Sequence, residues 1–219
     1  LQMKSLLLKD LYNISHNARS MLVVLIFLAF AIVPTSGPIP YMVMCAALCS
    51  MMIVTTFTFD DACGWTSYAL VLPVSRSRLV LAKYAALAVF CTVGILFGLA
   101  ASSLGAYMTS DGIPAPLEML VGMLTGWAVS FGMGSTAIPL VYRFGTEKAR
   151  ILIIAAFLIP ALAVAAAAGV VLAFLAGASG AAMPDSVAIG LLCASPLAAL
   201  AWGALMYRVA CGVFAKAEC

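Results

Sequence analysis

The sequence predicts an all-α integral membrane protein with six transmembrane helices and an amphipathic helix ahead of the first. Three observations carry that expectation. Of the 219 residues, 65% are hydrophobic and 9% charged, whereas soluble domains sit near half apolar and a quarter charged. The apolar residues fall in runs that cross a hydrocarbon core as helices of about 20 residues, and the chain has room for about six of them. Finally, with six spans all 11 Lys and Arg residues fall on one side.

The elements follow in order. Met3, the expected natural start, opens an amphipathic stretch at 3–16 in which Leu6, Leu7, Leu11 and Ile14 recur at helical spacing. Lys4, Lys9, Asp10 and Asn13 lie largely elsewhere, so the helix is expected in the membrane interface. The first span is expected at about 17–34. It is read as a retained helix, because no small-residue cleavage site follows Arg19–Val33. A Pro/Gly turn leads to a second span at about 41–58, and a polar, aromatic loop fills 59–78. Further spans are expected at about 79–107, 117–141, 151–175 and 187–209, separated by a turn near Asp111 and Pro116, a short basic loop at 142–150, and a Gly/Ala/Ser stretch with Pro184. The whole chain, 1–219, reads as a single transmembrane domain.

Charge sets the orientation, since Lys and Arg are enriched on cytoplasmic loops near helix ends. Lys4, Lys9, Arg19, Arg76, Arg78, Lys83, Arg143, Lys148, Arg150, Arg208 and Lys216 share one side in the six-span arrangement, which puts both termini in the cytoplasm. The net charge of +3 is too small to point to nucleic acid.

Several chemistries are disfavoured by what the expected spans contain. Their centres carry no Asp, Glu, Lys, Arg or His, where ion-coupled transporters place ionisable groups. The lone His16 lies in the amphipathic segment and reads as an interfacial residue. A buried Ser–His pair or a His pair for a metal is missing, and no Gly-x-x-x-x-Gly-Lys-Ser/Thr phosphate loop occurs. Cys45, Cys49, Cys63, Cys91, Cys193, Cys211 and Cys219 show no Cys-x-x-Cys spacing, so no metal site is expected.

Two stripes of small residues recur every four positions: Gly94, Gly98, Ser102 and Ala106, then Gly122, Gly126, Ser130 and Gly134. Small residues let helix backbones approach closely in lipid. Packing within the chain is the plain reading; a subunit contact or sliding seam is the other. The Ala run at 163–168 raises the same question.

The 59–78 loop holds the densest cluster of polar and aromatic residues. Asp60 or Asp61 is placed to cap a short helix whose Trp65, Tyr68 and Leu72 share one face. Pro73 ends it, Ser75 caps the next helix, and Arg76, Arg78 and Lys83 stand at that helix's base. Physics alone allows this elbow to be a passive anchor or a docking element.

Phe59, Asp60, Gly64, Trp65, Tyr68, Leu72-Pro73-Val74-Ser75-Arg76, Val80 and Lys83-Tyr84 resemble the signature of ABC-2-type permeases, in particular the small six-span group that includes bacterial peptide-toxin and antimicrobial-peptide exporters. Asp61 and Cys63 stand where that pattern has an acidic and a small polar residue. Ile138-Pro139-Leu140 with Tyr142–Gly145 and Glu147–Arg150, and the opening Leu7–Tyr12, extend the likeness along most of the chain. The resemblance implies a permease of the bacterial inner membrane, paired with a second copy or a sibling permease. It also implies a cytoplasmic ABC ATPase partner that uses ATP and Mg, while this chain binds no cofactor. Asp60, Asp61, Trp65, Tyr68, Pro73 and Arg76 would then lie in or beside the coupling-helix elbow, and Arg143, Glu147, Lys148 and Arg150 would form a second cytoplasmic contact. Spans without central charge suit an amphipathic or hydrophobic cargo such as a peptide. The alternatives are a six-helix ligand-capture subunit of a vitamin-type importer and a membrane anchoring or immunity protein.

Overall fold

The computed structural model describes residues 2–71, 75–109, 116–117, 119–120, 122–146, 148 and 185–216. The expected fifth span at 151–175, the Asp111 turn, Pro73, Glu147 and Arg150 lie outside them. The described residues are helical throughout apart from short turns. The helices are α1 (Gln2–Ser36), α2 (Pro38–Ala62), α3 (Trp65–Val71), α4 (Arg76–Thr109), α5 (Gly122–Thr146) and α6 (Asp185–Lys216). Five of them, all but α3, contain stretches long and apolar enough to cross a membrane.

The boundaries differ from expectation in several places: α5 runs on to Thr146, through the first part of the expected basic loop, α6 runs on to Lys216, and three further differences bear on the site. The amphipathic stretch and the first span are one unbroken helix of 35 residues, about 50 Å long at 1.5 Å per residue. Nothing in 3–17 breaks it, because the segment holds neither Gly nor Pro. Second, α2 runs on to Ala62, so Asp60 and Asp61 lie in its last turn and do not cap α3. Third, α4 begins at Arg76, three residues before the expected span.

Turn chemistry accounts for the connections. Gly37 takes φ +88 between α1 and α2, donates its N–H to the Val33 carbonyl at 3.1 Å, and is followed by Pro38 in the first turn of α2. A left-handed glycine and a proline at the helix start together reverse the chain within one residue. At the other end of α2, Gly64 takes φ +62 and the Cys63 N–H bonds the Phe59 carbonyl at 3.1 Å, closing α2 and launching α3. Ser75 starts α4 through its backbone carbonyl, which accepts from Arg78 at 2.9 Å; its hydroxyl lies 3.3 Å from that of Ser77.

Packing pairs give the helix directions. Gly94 and Gly98 of α4 face Cys49 and Met42 of α2, so these helices run antiparallel. Lys83 meets Asp10 and Gly105 meets Val33, so α1 and α4 run parallel. Gly203 faces Phe131 and Phe214 faces Tyr142, so α5 and α6 also run parallel. The spanning windows of α2, α4 and α5 are 44%, 44% and 56% buried, against 11% for α1 and 22% for α6. The centre is therefore α2, α4 and α5, with α1 and α6 on the flanks.

Both small-residue stripes lie in this centre. A methyl group on Gly94 would come within 2.7 Å of Cys49 Cβ, and one on Gly98 within 3.0 Å of Met42 Cα. Gly122 faces Ile39, Gly126 faces Ile95 and Val43, and Gly134 faces Leu87. Close backbone approach of this kind supplies the van der Waals contact that holds helices together in lipid.

Candidate functional site

The start of α1, the ends of α2, α5 and α6, and the start of α4 converge at one end of the bundle. This end also carries Lys9, Arg76, Arg78, Lys83, Arg143, Lys148 and Arg208. Its floor is aromatic: Tyr142 packs edge-on to Phe57 at 5.1 Å and lies 4.7 Å from Phe214, while Tyr84 packs edge-on to Tyr207 at 5.7 Å. Tyr84 Oη donates to the Ser135 carbonyl at 3.1 Å, tying α4 to α5.

Within this end lies a buried ionic cluster. Asp10, Asp60 and Lys83 are 2%, 4% and 6% exposed. Lys83 Nζ donates to Asp60 Oδ2 at 2.6 Å, to Asp10 Oδ1 at 3.0 Å and to Thr56 Oγ1 at 3.0 Å, which uses all three ammonium protons. Lys9 Nζ reaches Asp60 Oδ1 at 2.5 Å and Asp10 Oδ1 at 3.2 Å. Lys9 also sits over the Trp65 ring at 4.5 Å, and Lys83 over Phe57 at 4.7 Å. Two cations face two carboxylates, so the cluster is neutral. Each charge loses water but gains an opposite charge with hydrogen-bond geometry, the condition under which burial of ions is tolerated. Asp60 accepts one lysine on each oxygen and thereby bridges α1 to α4.

Of the expected elbow residues, Asp60 is thus buried in the cluster. Asp61 is exposed. Trp65 is half-buried and lies 5.7 Å from Tyr68, which is 59% exposed; Val71 at the end of α3 is 84% exposed. Arg76 is exposed but anchored, donating to the Phe214 and Ala215 carbonyls at 3.1 and 3.2 Å. A guanidinium at these C-terminal carbonyls satisfies otherwise unpaired acceptors and suits the helix dipole. In the second expected contact, Arg143 is exposed over the Phe144 ring at 5.3 Å and Lys148 is exposed. Among the described residues, no group of His, Cys, Asp and Glu is arranged to hold a metal.

Sequence reasoning missed the cluster by placing Lys9 and Asp10 on a water-facing side. A signal was present. Asp10 lies four residues from both Leu6 and Ile14, inside the apolar stripe of the helix. A carboxylate there implies a buried cation. Thr56 and Lys83 gave no such signal, because their helices are apolar on every face.

Five helices long and apolar enough to cross a membrane, gathered at one end around a neutral ionic cluster, define a polytopic membrane protein. The model of the ABC-2 family transporter proteins matches residues 5–215. The chain belongs to that family, and is a membrane permease subunit of an ABC transporter. No curated protein matched the chain.

Proposed function

We propose that the chain is the permease of an ATP-driven exporter that carries an amphipathic or hydrophobic cargo, such as a peptide, out of a bacterial cell. In this reading it works in the inner membrane with a second copy or a sibling permease, and with a separate cytoplasmic ATPase that uses ATP and Mg. The observation that carries it is the family match over residues 5–215, joined to a short α3 with Tyr68 and Val71 exposed, close after the buried ionic cluster in the chain. Tyr68 and Val71 of α3 offer the apolar contact for the ATPase; Asp61, Arg76, Arg143 and Lys148 are exposed charges toward the same end of the bundle. Six spans and cytoplasmic termini complete the proposal. Its support is that α5 and α6 run in the same direction, the parity that one further crossing between them produces.

The cargo class is tested by reconstituting the permease with its ATPase in vesicles. ATP hydrolysis rises when amphipathic peptides are added and stays flat with inorganic ions. Hydrolysis indifferent to a broad peptide panel contradicts the cargo assignment.

A further inference from the structure

The geometry points to Lys9 and Asp10 as positioning residues that clasp α1 to the elbow, so that the first helix moves with α3 when the partner acts. This rests on the reading of α3 as the element that receives ATPase motion. The path is short. α3 follows the Gly64 turn directly, and Asp60 is four residues before that turn in the last turn of α2. Asp60 holds Lys9 on one oxygen and Lys83 on the other, and Asp10 closes the ring on Lys83. Displacing α3 displaces Asp60, and Asp60 pulls on α1.

Two further observations make α1 a lever. It is continuous from Gln2 to Ser36, so movement at Lys9 is carried along its length into the span. That span lies on the flank of the bundle, only 11% of Arg19–Ser36 being buried, whereas Asp10 at the clasp is 2% exposed. An apolar cleft of about 130 Å³ lies beside the helix just beyond the clasp, lined by Ile14 and Leu25 of α1, Met52 of α2 and Phe90 of α4, while Ile14 and Leu25 also pack into the core shared with α2 and α4. At this level one polar contact ties α1 to α2, the hydrogen bond that Tyr41 Oη donates to the Leu25 carbonyl at 2.9 Å, and movement of α1 works against it.

The test uses the full chain with Lys9→Met and Asp10→Asn together, which removes one charge of each sign and leaves the Asp60–Lys83–Thr56 contacts in place. Spin labels are put on Cys63 and on a Tyr12→Cys substitution, the other cysteines being replaced. The double variant is expected to insert and bind ATPase, to move at least about fivefold less cargo per ATP, in the range of ordinary site-to-site coupling, and to show a broadened label distance. Lys9→Arg, which keeps the charge, retains wild-type coupling. A distance as narrow as the parent's, or unchanged cargo per ATP, overturns the clasp. In the unsubstituted cluster the label distance stays constant between ATP-free and ATP-bound complexes; a change there overturns it too, independently of how the double variant folds. Failure of the parent chain to bind any ATPase would instead defeat the reading of α3, while the label distances still report on the clasp.

Discussion

Removing the Lys83 ammonium would leave Asp10 and Asp60 sharing Lys9 as their one cation in a buried setting. Breaking a buried ion pair from one side costs about 3–5 kcal/mol, far more than the pair itself contributes. Lys83→Met is therefore expected to lower the thermal unfolding midpoint in detergent sharply, and Lys83→Met with Asp60→Asn to recover much of the loss. An unchanged midpoint in the single variant would show that the cluster is solvated. The same reasoning revises what a substitution at Asp60 reports: its carboxylate bridges α1 to α4 within the cluster, so its loss is expected to disturb folding as well as coupling. Asp60 was visible in the sequence as a residue of consequence, but its role was not, because a linear motif does not show which helix supplies the counter-charge. Lys83 comes from the neighbouring α4, Thr56 from one turn earlier in Asp60's own helix, and Lys9 and Asp10 from some 50 positions earlier than Asp60.

At the scale of elements, the helices were legible because their apolar runs exceed the bilayer thickness, and the small-residue stripes because four-residue spacing marks one helix face. The α1–α2 reversal was legible from Gly37 and Pro38. The continuity of α1 was not, since amphipathic and wholly apolar stretches look like separate elements when no Gly or Pro marks whether the helix stops. The α2 boundary slipped for a related reason: Asp60 and Asp61 are good helix starters, and only the left-handed Gly64 shows that they end a helix instead. The short α3 carries its own prediction. Tyr68→Ala and Val71→Asp alter exposed side chains, and exposed substitutions usually change stability by less than about 0.5 kcal/mol. They are expected to weaken ATPase binding in a pull-down while the unfolding midpoint stays put. Full binding by both variants would move the docking surface away from α3.

For the whole molecule, the parallel run of α5 and α6 and the gathering of basic residues at one end make a sidedness prediction. Cys63 is exposed in the turn between α2 and α3 at that end. In a chain keeping only Cys63, a membrane-impermeant thiol reagent is expected to label inverted vesicles and to leave right-side-out vesicles unlabelled; the opposite pattern would invert the topology. The family was legible in the sequence because its residues cluster at this end, where α3, the α4 start and the α5 end meet. What links them physically became visible only in three dimensions. The most direct measurement is native mass spectrometry of the complex drawn gently from its own membrane. Two permease subunits with two soluble ABC ATPases are expected, and a permease isolated repeatedly with no ATPase, under conditions that preserve known complexes, would rule out the ATP-driven permease.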